Sequence, residues 1–376
     1  MKWAVTILIF SVASLAALGM VILYSSGMGD GNPNYLTKQL TWFGVGMAGF
    51  LIASLTDYRF WKRLAWPILG LALLLLVAVL LPHIGIYKNG ARHWLGYGGF
   101  TLQPSEVAKL ALIIALAAYG ARNSRQMPTL VRGLVVPLIF SGLILGLIFV
   151  EPDRGTAILL GAVTGLMLLI AGVRWVFIFP PGVLALLCLG FSLWHDPLRR
   201  TRIFGWMYLE QTKSGVSYQA YQAMVTLGSG GWAGLGLGNG RQKLGFLPEH
   251  HTDFIFSVIG EELGLIATLA VIVLFILLVF AGVYIAWNAA DSFGLLLGSG
   301  LTFLIGLQAF INIGVVTSAL PNKGLPLPFI SYGGSNLMIM LTAVGLLLSI
   351  ARHAVQRGQS TNPAMVKDLN SRHLAG

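Results

Sequence analysis

Four short polar segments interrupt a very apolar sequence and contain the residues best suited to chemistry. They are 103–109 (QPSEVAK), 151–156 (EPDRGT), 248–256 (PEHHTDFIF) and 321–336 (PNKGLPLPFISYGGSN). Carboxylates can take a proton from a hydroxyl group. Cations and the free N–H groups of a helix start bind phosphate. The four segments together indicate acid–base chemistry on a phosphorylated ligand.

Asp253 is the last polar residue before a long apolar run, and two compatible interpretations are open. It suits the N-cap of the helix that follows. It also suits a general base, because a half-buried carboxylate binds a proton more readily and can take one from a sugar hydroxyl. The adjacent His250 and His251 do not favour zinc, since they point in different directions and no third soft ligand is near.

Glu106 and Lys109 lie three residues apart after Pro104, so they share one face of a predicted helix. They form either a local ion pair at a helix start or a charged pair that faces a cavity. A charge inside a membrane span is costly, which favours a functional role as much as a structural one. Upstream, Arg92 and the flat rings of His93 and Trp94 would suit a pyrophosphate and a sugar.

The segment 151–156 places Glu151, Asp153 and Arg154 in a tight turn. Proline, aspartate and glycine are ordinary turn residues, so the turn alone explains them. Two acids beside one arginine would also suit a metal ion or a polar network. We take Asp153 as a candidate ligand-binding residue.

The segment 321–336 combines Lys323 and the hydroxyls of Ser331 and Ser335 with three prolines and the pair Gly333-Gly334. Free N–H groups at the start of the helix that follows would bind phosphate, and glycine permits close approach. The alternative is a re-entrant plug that only packs against its neighbours.

Other polar residues lie within apolar runs. Glu261 and Glu262 lie roughly 12 Å along the helix after Asp253 and need partners or protons at that depth. Gln308 and Asn312 share a helix face and are expected to form hydrogen bonds between helices. We group these four residues as structural polar residues, although a functional role for Glu261 and Glu262 stays open.

The composition describes a membrane protein. The 376 residues are 56% hydrophobic and only 10% charged, whereas soluble domains have about 25% charged residues. The net charge of +11 comes from Lys and Arg scattered through many loops, so anionic lipid and phosphorylated lipid are better partners than nucleic acid. The single cysteine, Cys188, lies in an apolar run and excludes an intramolecular disulfide.

Apolar runs separated by polar breaks predict an all-α polytopic protein with ten transmembrane helices. They are 3–24, 39–55, 64–82, 104–120, 132–150, 155–171, 175–194, 254–284, 293–317 and 336–352. We expect one transmembrane domain, 1–358, with a large external loop, 195–253, between the seventh and eighth helices and a disordered tail, 359–376. The Gly-rich stretch of the external loop, 228–240, is expected to be flexible or close-packed backbone.

The basic residues of the short loops predict that both termini are cytoplasmic. Under that orientation Arg59, Lys62, Arg122, Arg125 and Arg174 fall inside. The four polar segments fall outside or at outer helix ends, so the chemistry is expected at the outer face of the membrane.

The order and spacing of the segments resemble the SEDS family of peptidoglycan polymerases (shape, elongation, division and sporulation), over nearly the whole chain. The matching stretches are GARHWL, TLQPSEVAKL, EPDRGT, LGNGRQKLGFLPEHHTDFIFSVIGEELGL and PNKGLPLPFISYGGSN. PNKG and QKLGFLPEHHTDFIF are closer to the family's division members than to its elongation members. Arg154 departs from the family pattern, which usually has an apolar residue there, and His93 stands where Arg or a similar residue is common.

The resemblance implies a glycosyltransferase of the bacterial inner membrane, expected at the division septum, that polymerises lipid II. It implies a catalytic aspartate at Asp253 and important polar residues at Glu106, Lys109 and Asp153. The donor would be a glycan strand linked to undecaprenyl pyrophosphate. The candidate ligands for that pyrophosphate are Lys109, Arg92, Arg199, Arg200, Lys323 and the N–H groups near Ser335.

The resemblance further implies a class B penicillin-binding transpeptidase as partner, together with other division proteins. A divalent cation, Mg²⁺ or Mn²⁺, would assist, although no closed ligand set is visible. Two rival functions are open. A flippase of the same lipid would hold its ligand near the bilayer midplane between inverted repeats, and a scaffold would not need Asp253.

Overall fold

The computed structural model describes residues 1–29, 34–82, 84–88, 91–97, 100–213, 215, 217–240 and 251–360. These residues form twelve α-helices. The helices are α1 (Lys2–Gly29), α2 (Asn34–Leu55), α3 (Tyr58–Leu80), α4 (Pro104–Arg122), α5 (Val136–Val150), α6 (Arg154–Ile170), α7 (Trp175–His195), α8 (Pro197–Met207), α9 (Tyr218–Ser229), α10 (Ile255–Trp287), α11 (Ser292–Val316) and α12 (Gly334–Ser360).

Within the described residues, eight helices are long and apolar enough to cross a membrane. They are α1, α3, α4, α7, α10, α11, α12 and the continuous helical stretch Leu130–Val150 that ends with α5. The other two predicted spans coincide with α2 and with α6, a shorter apolar helix of 17 residues. The predicted tail lies outside the described residues, apart from Gln359 and Ser360, which continue α12.

The expectation of a purely helical protein is wrong in one place. The segment after α3 forms a three-stranded antiparallel sheet of β1 (Gly85–Lys88), β2 (Ala91–Tyr97) and β3 (Phe100–Leu102), in that order. Its strands are short and lie outside the spans, so a search for apolar runs of membrane length does not detect them.

The described part of the predicted external loop 195–253 contains two helices, α8 and α9. Proline stands at the first position of α8, where its missing N–H costs nothing. Both helices are too short to span a bilayer, which is why the hydropathy pattern merged them into a loop.

The Gly-rich stretch is close-packed backbone, one of the two predicted alternatives. The N–H groups of Leu235 and Gly236 donate to the carbonyls of Glu261 and Glu262 on α10 at 2.9 Å. A Cβ at Gly234 would lie 2.2 Å from the Glu262 carbonyl oxygen, so only glycine permits this approach. The stretch therefore fixes the first part of α10, which follows directly from Asp253.

α4 lies at the centre of the bundle, with most of its residues buried, and it packs against α3 and α11. α7 lies at the periphery and has no buried residue, so Cys188 is exposed on an apolar helix. Polar residues of α4 are consequently enclosed by protein, whereas α7 presents its side chains outward.

Candidate active site

Asp253 lies where α10, α11 and the segment 321–336 meet. α10 begins at Ile255 with Phe254 as its N-cap, so the predicted N-cap role of Asp253 is wrong by one residue. The Asp253 carbonyl oxygen accepts a hydrogen bond from Asn312 Nδ2 at 2.8 Å. A Cβ at Gly324 would lie 2.9 Å from Asp253 Oδ2, which places the carboxylate directly against the PNKG turn.

Asn312 and Gln308 both hold this turn. Asn312 Nδ2 also donates to the carbonyl oxygen of Leu325 at 2.7 Å, and Gln308 Nε2 donates to that of Pro326 at 2.9 Å. They act as structural residues, as predicted, but they bind a loop rather than only another helix. The backbone beside Asp253 is therefore fixed on both sides.

Glu106 and Lys109 form a buried ion pair. Lys109 Nζ lies 2.8 Å from Glu106 Oε1 and donates to Gln308 Oε1 at 2.9 Å. Glu106 Oε2 accepts from Asn336 Nδ2 at 3.0 Å. Lys109 is 0% exposed and Glu106 is 2% exposed. The network joins α4, α11 and α12, which supports the ion-pair interpretation and not direct contact with a ligand.

Asp153 is the N-cap of α6 and connects the first two polar segments. Its Oδ1 accepts from the Thr156 N–H at 3.0 Å, and its Oδ2 accepts from Gln103 Nε2 at 3.5 Å. Asp153 remains partly exposed. Burial lowers the pKa of His93, and the Asp153 charge opposes that change. The turn therefore faces the sheet as well as α4.

Glu151, in the same turn, is almost completely buried, with 1% of its surface exposed. Neither carboxyl oxygen has a hydrogen-bond partner among the described residues. Burial, assisted by the nearby Asp153 charge, raises the pKa of Glu151 to about 8. Glu151 is therefore protonated at neutral pH, while Asp153 accepts two hydrogen bonds.

Lys323 belongs to a group of three cations that the sequence did not bring together. Burial lowers the pKa of Lys323, and Arg154 and Arg202 act in the same direction, whereas Asp153 opposes them. Arg154 packs its guanidinium 4.9 Å from the centre of the Phe149 ring, and its Nε and Nη1 have no hydrogen-bond partner among the described residues. Asp153 and the Asp253 carboxylate lie beside these three cations, so the group still has excess positive charge, which suits an anion.

The sequence analysis did not identify Arg202, because it selected the neighbouring Arg199 and Arg200 as candidate ligands. Arg200 is exposed and lies 5.8 Å from the ring centre of Trp194. The side chain of Arg199 lies outside the described residues. All three follow Pro197 on α8, and helix periodicity alone could not show which of them faces Lys323.

Ser331 and Ser335 bind backbone groups. The Ser331 hydroxyl donates to the Thr252 carbonyl at 2.6 Å and accepts from the Leu327 N–H at 2.7 Å. The Ser335 hydroxyl donates to the Thr101 carbonyl at 3.2 Å and accepts from the Gln103 N–H at 3.1 Å. Both predicted ligand-binding serines thus attach the 321–336 segment to its neighbours, because their hydroxyls are already hydrogen-bonded.

Gln39 on α2 is a further residue of this site that the sequence analysis did not identify. Its Nε2 donates to the Ser331 carbonyl at 3.1 Å, and its Oε1 accepts from the Gly333 N–H at 3.3 Å. Gln39 is 1% exposed. An amide within the first two turns of a predicted membrane helix was the available signal in the sequence.

Arg92 and His93 are consecutive residues of β2. The pairing of β2 with β1 skips one residue here, because Ile86 pairs with Trp94 and Tyr87 pairs with Arg92, so His93 is the extra residue of a β-bulge. Arg92 is not among the charges that act on Lys323, whereas His93 is influenced by Asp153. The structure does not bring Arg92 into the cation group around Lys323.

Glu262 and Glu261 stabilise the packing of the Gly-rich stretch on α10. Glu262 accepts hydrogen bonds from the Ser25 hydroxyl at 2.7 Å and from the Gly238 N–H at 3.2 Å. A Cβ at Gly240 would lie 2.9 Å from Glu261 Oε2. Both side chains therefore lie against the backbone of the Gly-rich stretch.

The described residues contain no group of three or more His, Cys, Asp or Glu that could hold a metal ion. His251 stacks on Tyr35 with ring centres 4.4 Å apart, and His250 lies outside the described residues. The participation of a divalent cation stays a prediction.

The chain matches known proteins over almost its whole length. Residues 5–356 match the model of the FtsW, RodA and SpoVE family, described as "Cell cycle protein". The chain is 41% identical over 351 residues to the probable peptidoglycan glycosyltransferase FtsW of Trichlorobacter lovleyi, covering 92% of each protein. It is 34% identical over 356 residues to the stage V sporulation protein E of Bacillus subtilis, covering 93% of this chain and 97% of that protein.

Solved structures give the same result. A chain of a peptidoglycan synthase complex, studied for its structural coordination of polymerization and crosslinking, superposes with a TM-score of 0.79 at 29% identity, covering 93% of this chain and 98% of that one. The rod shape determining protein RodA of Thermus thermophilus superposes with a TM-score of 0.69 at 29% identity, covering 92% and 95%. The chain therefore belongs to the FtsW, RodA and SpoVE family of cell cycle proteins.

Proposed function

We propose that this protein is a peptidoglycan glycosyltransferase that polymerises lipid II into glycan strands during septal wall synthesis, with Asp253 as general base. The observation that carries the assignment is the convergence of four distant polar segments. The Asp253 carboxylate lies against Gly324. Lys323 in the same turn is grouped with Arg154, and Asp153 is hydrogen-bonded to Gln103.

The reaction joins an acceptor hydroxyl to the anomeric carbon of the donor strand. Asp253 takes the proton of the acceptor's 4-hydroxyl group while the oxygen of that hydroxyl forms the new glycosidic bond. The bond between the anomeric carbon and the undecaprenyl diphosphate breaks, and the diphosphate leaves with the electron pair. Displacement from the opposite side inverts the anomeric centre. The proton held by Asp253 is then released to water.

The leaving diphosphate gathers negative charge as the bond breaks, so fixed cations aimed at it lower the barrier. Lys323, Arg154 and Arg202 are the candidate cations, because the charges of both arginines act with burial to lower the pKa of Lys323. Lys109 is fully enclosed by its ion pair and by Gln308, so it supports the site by positioning α4 against α11. Ser331 and Ser335 likewise position the segment that carries Lys323.

The proposed architecture is a single ten-helix domain, with α2 and α6 completing the eight apolar spans. Both termini lie in the cytoplasm and the crevice opens at the outer face, where lipid II is presented. The names of the relatives support action at the division septum of the inner membrane. The peptidoglycan synthase complex among the structural neighbours supports a class B penicillin-binding transpeptidase as partner, alongside other division proteins.

The test is reconstitution of the purified chain and its transpeptidase partner in liposomes that contain lipid II. Wild type is expected to produce glycan polymer that an endoglycosidase degrades, and Asp253→Ala is expected to produce none. Asp57→Asn is the matched control, because Asp57 caps α3 on another part of the bundle and asparagine is an equally good N-cap. Lys323→Met is expected to lower the polymerisation rate by roughly 10²-fold.

The outcomes distinguish a wrong assignment of the activity from a wrong assignment of the catalytic residue. No polymer from wild type, with fluorescent lipid II moving between leaflets instead, would show a flippase and refute the polymerase. Equal polymer from wild type and Asp253→Ala would refute only the assignment of Asp253. Repeating the assay with EDTA and then with added Mg²⁺ or Mn²⁺ tests the proposed divalent cation.

A further inference from the structure

A cavity lies at the end of α4 opposite to the candidate active site. α4 has 19 residues and therefore runs about 28 Å from the segment with Glu106 to Arg122. The cavity has a volume of about 370 Å³. Its lining consists of two arginines, two aromatic residues and two smaller ones, namely Trp66, Ala118, Tyr119, Arg122, Asn123 and Arg132.

The aromatic walls of this cavity are held in place by packing. Phe140 on α5 lies edge-on to Trp66 with ring centres 5.5 Å apart and to Tyr119 at 5.9 Å. The Tyr119 hydroxyl donates to the Arg132 carbonyl at 2.7 Å. The backbone of Arg132 is thus attached to α4 beside the cavity.

A π-helical turn, Leu130–Val135, presents Arg132 to the cavity. Such turns are rare and occur frequently at functional sites. This one requires glycine, because a Cβ at Gly133 would lie 2.0 Å from the Met127 carbonyl oxygen. The wide turn therefore has a specific sequence requirement beside the cavity.

Among the described residues, the two arginines have no negative partner. No Asp or Glu occurs between Glu106 and Glu151. In the described part of the chain, Arg122 makes no ion pair, and Arg132 donates only to the neutral Gln126 amide. Arg122 suits the C-terminal end of α4, but Arg132 lies in the first turn of Leu130–Val150, where the helix dipole opposes a cation.

The surroundings of the cavity are those of a membrane interface. Trp66 is 47% exposed on α3, and Leu130 beside the π-helical turn is 48% exposed. Both belong to apolar helices of membrane length. Tryptophan and tyrosine are typical of the headgroup level, and guanidinium groups pair with phosphate through two parallel hydrogen bonds.

We infer that this cavity binds the anionic head group of a membrane phospholipid. The phosphate lies between Arg122 and Arg132, and the upper part of an acyl chain lies along Trp66. The site is separate from the proposed reaction and would anchor the junction of α3, α4 and α5 to the leaflet opposite the active site. Its ligand is part of the surrounding bilayer.

The test uses the full chain reconstituted in nanodiscs, and because the chain has ten tryptophans, the Trp66 signal is the difference between the fluorescence of wild type and of Trp66→Phe. Phosphatidylglycerol brominated near the head-group end of its acyl chains is expected to quench more fluorescence than equally brominated phosphatidylcholine. This excess quenching should disappear in Trp66→Phe and fall at least severalfold in Arg122→Gln/Arg132→Gln. Because Arg122 is exposed, Arg122→Gln alone gives the same comparison without disturbing the π-helical turn.

Arg125→Gln is the matched control, since Arg125 is an exposed neighbouring cation outside the cavity lining. It should retain the full excess quenching. Equal quenching by both lipids, or an excess that survives in both arginine variants, would overturn the proposal. Abolition of the excess by millimolar inorganic phosphate would overturn the lipid as ligand and indicate a free phosphate site.

Discussion

Two buried carboxyl groups near the candidate active site differ in what surrounds them. Glu106 has a cation and an amide at hydrogen-bond distance. Glu151 has neither among the described residues. A paired buried carboxylate can keep its charge, whereas an unpaired one takes up a proton. Glu151 is therefore expected to make the protein's stability sensitive to alkaline pH.

Glu151 should destabilise the protein progressively as pH rises. The carboxyl group releases its proton near its ordinary pKa of 4.5 in the unfolded chain but near 8 in the folded one. Between these values the unfolded state binds fewer protons, so the free energy of unfolding falls with rising pH, and the loss is complete above about 8. Glu151→Gln should remove this dependence and gain about 2–4 kcal/mol at pH 8.5.

The measurement is thermal unfolding of the detergent-solubilised protein between pH 5 and pH 9. Glu210→Gln is the control, because Glu210 is an exposed carboxyl in the described part of the external segment. It should retain the wild-type pH dependence. A Glu151→Gln profile parallel to that of wild type would show that Glu151 is already ionised at neutral pH.

The Lys109 network shows what one sequence can and cannot predict at the level of single residues. Spacing of three residues was sufficient to place Glu106 beside Lys109. Gln308 and Asn336 lie 199 and 230 residues away from their partners in this network. No local pattern specifies such contacts, because they depend on how α11 and α12 pack against α4. The same reason explains why Arg202 and Gln39 were missed.

At the scale of elements, the membrane helices were predictable because the bilayer requires long apolar runs. The predicted span 175–194 corresponds to Trp175–His195, and 293–317 to Ser292–Val316. The sheet β1–β3 and the helices α8 and α9 were not predicted, since segments outside the bilayer are under no such requirement. The sheet supplies His93, which lies near Asp153, and α8 supplies Arg202. The elements that were not predicted therefore contribute directly to the site.

α10 is interrupted at Gly264, and this position should not tolerate a side chain. Gly264 has φ 77° and ψ −173°, a region open essentially to glycine alone. A Cβ there would lie 2.4 Å from the Gly234 backbone nitrogen. Gly264→Ala is therefore expected to separate the Gly-rich stretch from α10 and lower stability by about 3 kcal/mol or more.

Thermal unfolding and polymer synthesis together test this expectation. Gly142→Ala is the control, because a Cβ at Gly142 on α5 meets nothing within 4 Å. Alanine should be neutral there or stabilise the helix by up to about 1 kcal/mol. If Gly264→Ala is as stable and as active as Gly142→Ala, the close backbone packing of this stretch does not position Asp253.

The whole molecule separates its two proposed ligand sites by the length of α4. The crevice around Asp253 has carboxylates among its cations, as acid–base chemistry requires. The cavity near Arg122 has cations without acids in the described residues, which suits a purely electrostatic contact with lipid. The proposal of a reaction site at one face and a lipid site at the other requires that the two ends of α4 lie on opposite faces of the membrane.

The orientation of the whole chain is testable because its single native cysteine can be removed. In a Cys188→Ser background, Lys2→Cys, Arg125→Cys and Glu210→Cys place one thiol each at exposed positions. α5, α6 and α7 separate Arg125 from Glu210, so these positions lie on opposite sides only if the 17-residue α6 crosses the membrane. α1 to α4 separate Lys2 from Arg125, so these positions lie on the same side only if α2 also crosses.

A membrane-impermeant maleimide should therefore label Glu210→Cys in intact spheroplasts, and should label Lys2→Cys and Arg125→Cys only after permeabilisation. Labelling of Glu210 and Arg125 from the same side would remove α6 from the spans. Labelling of Lys2 and Arg125 from opposite sides would remove α2. Either result would refute the ten-helix arrangement, and labelling of all three from reversed sides would place the Asp253 crevice in the cytoplasm, where lipid II polymerisation could not supply the wall.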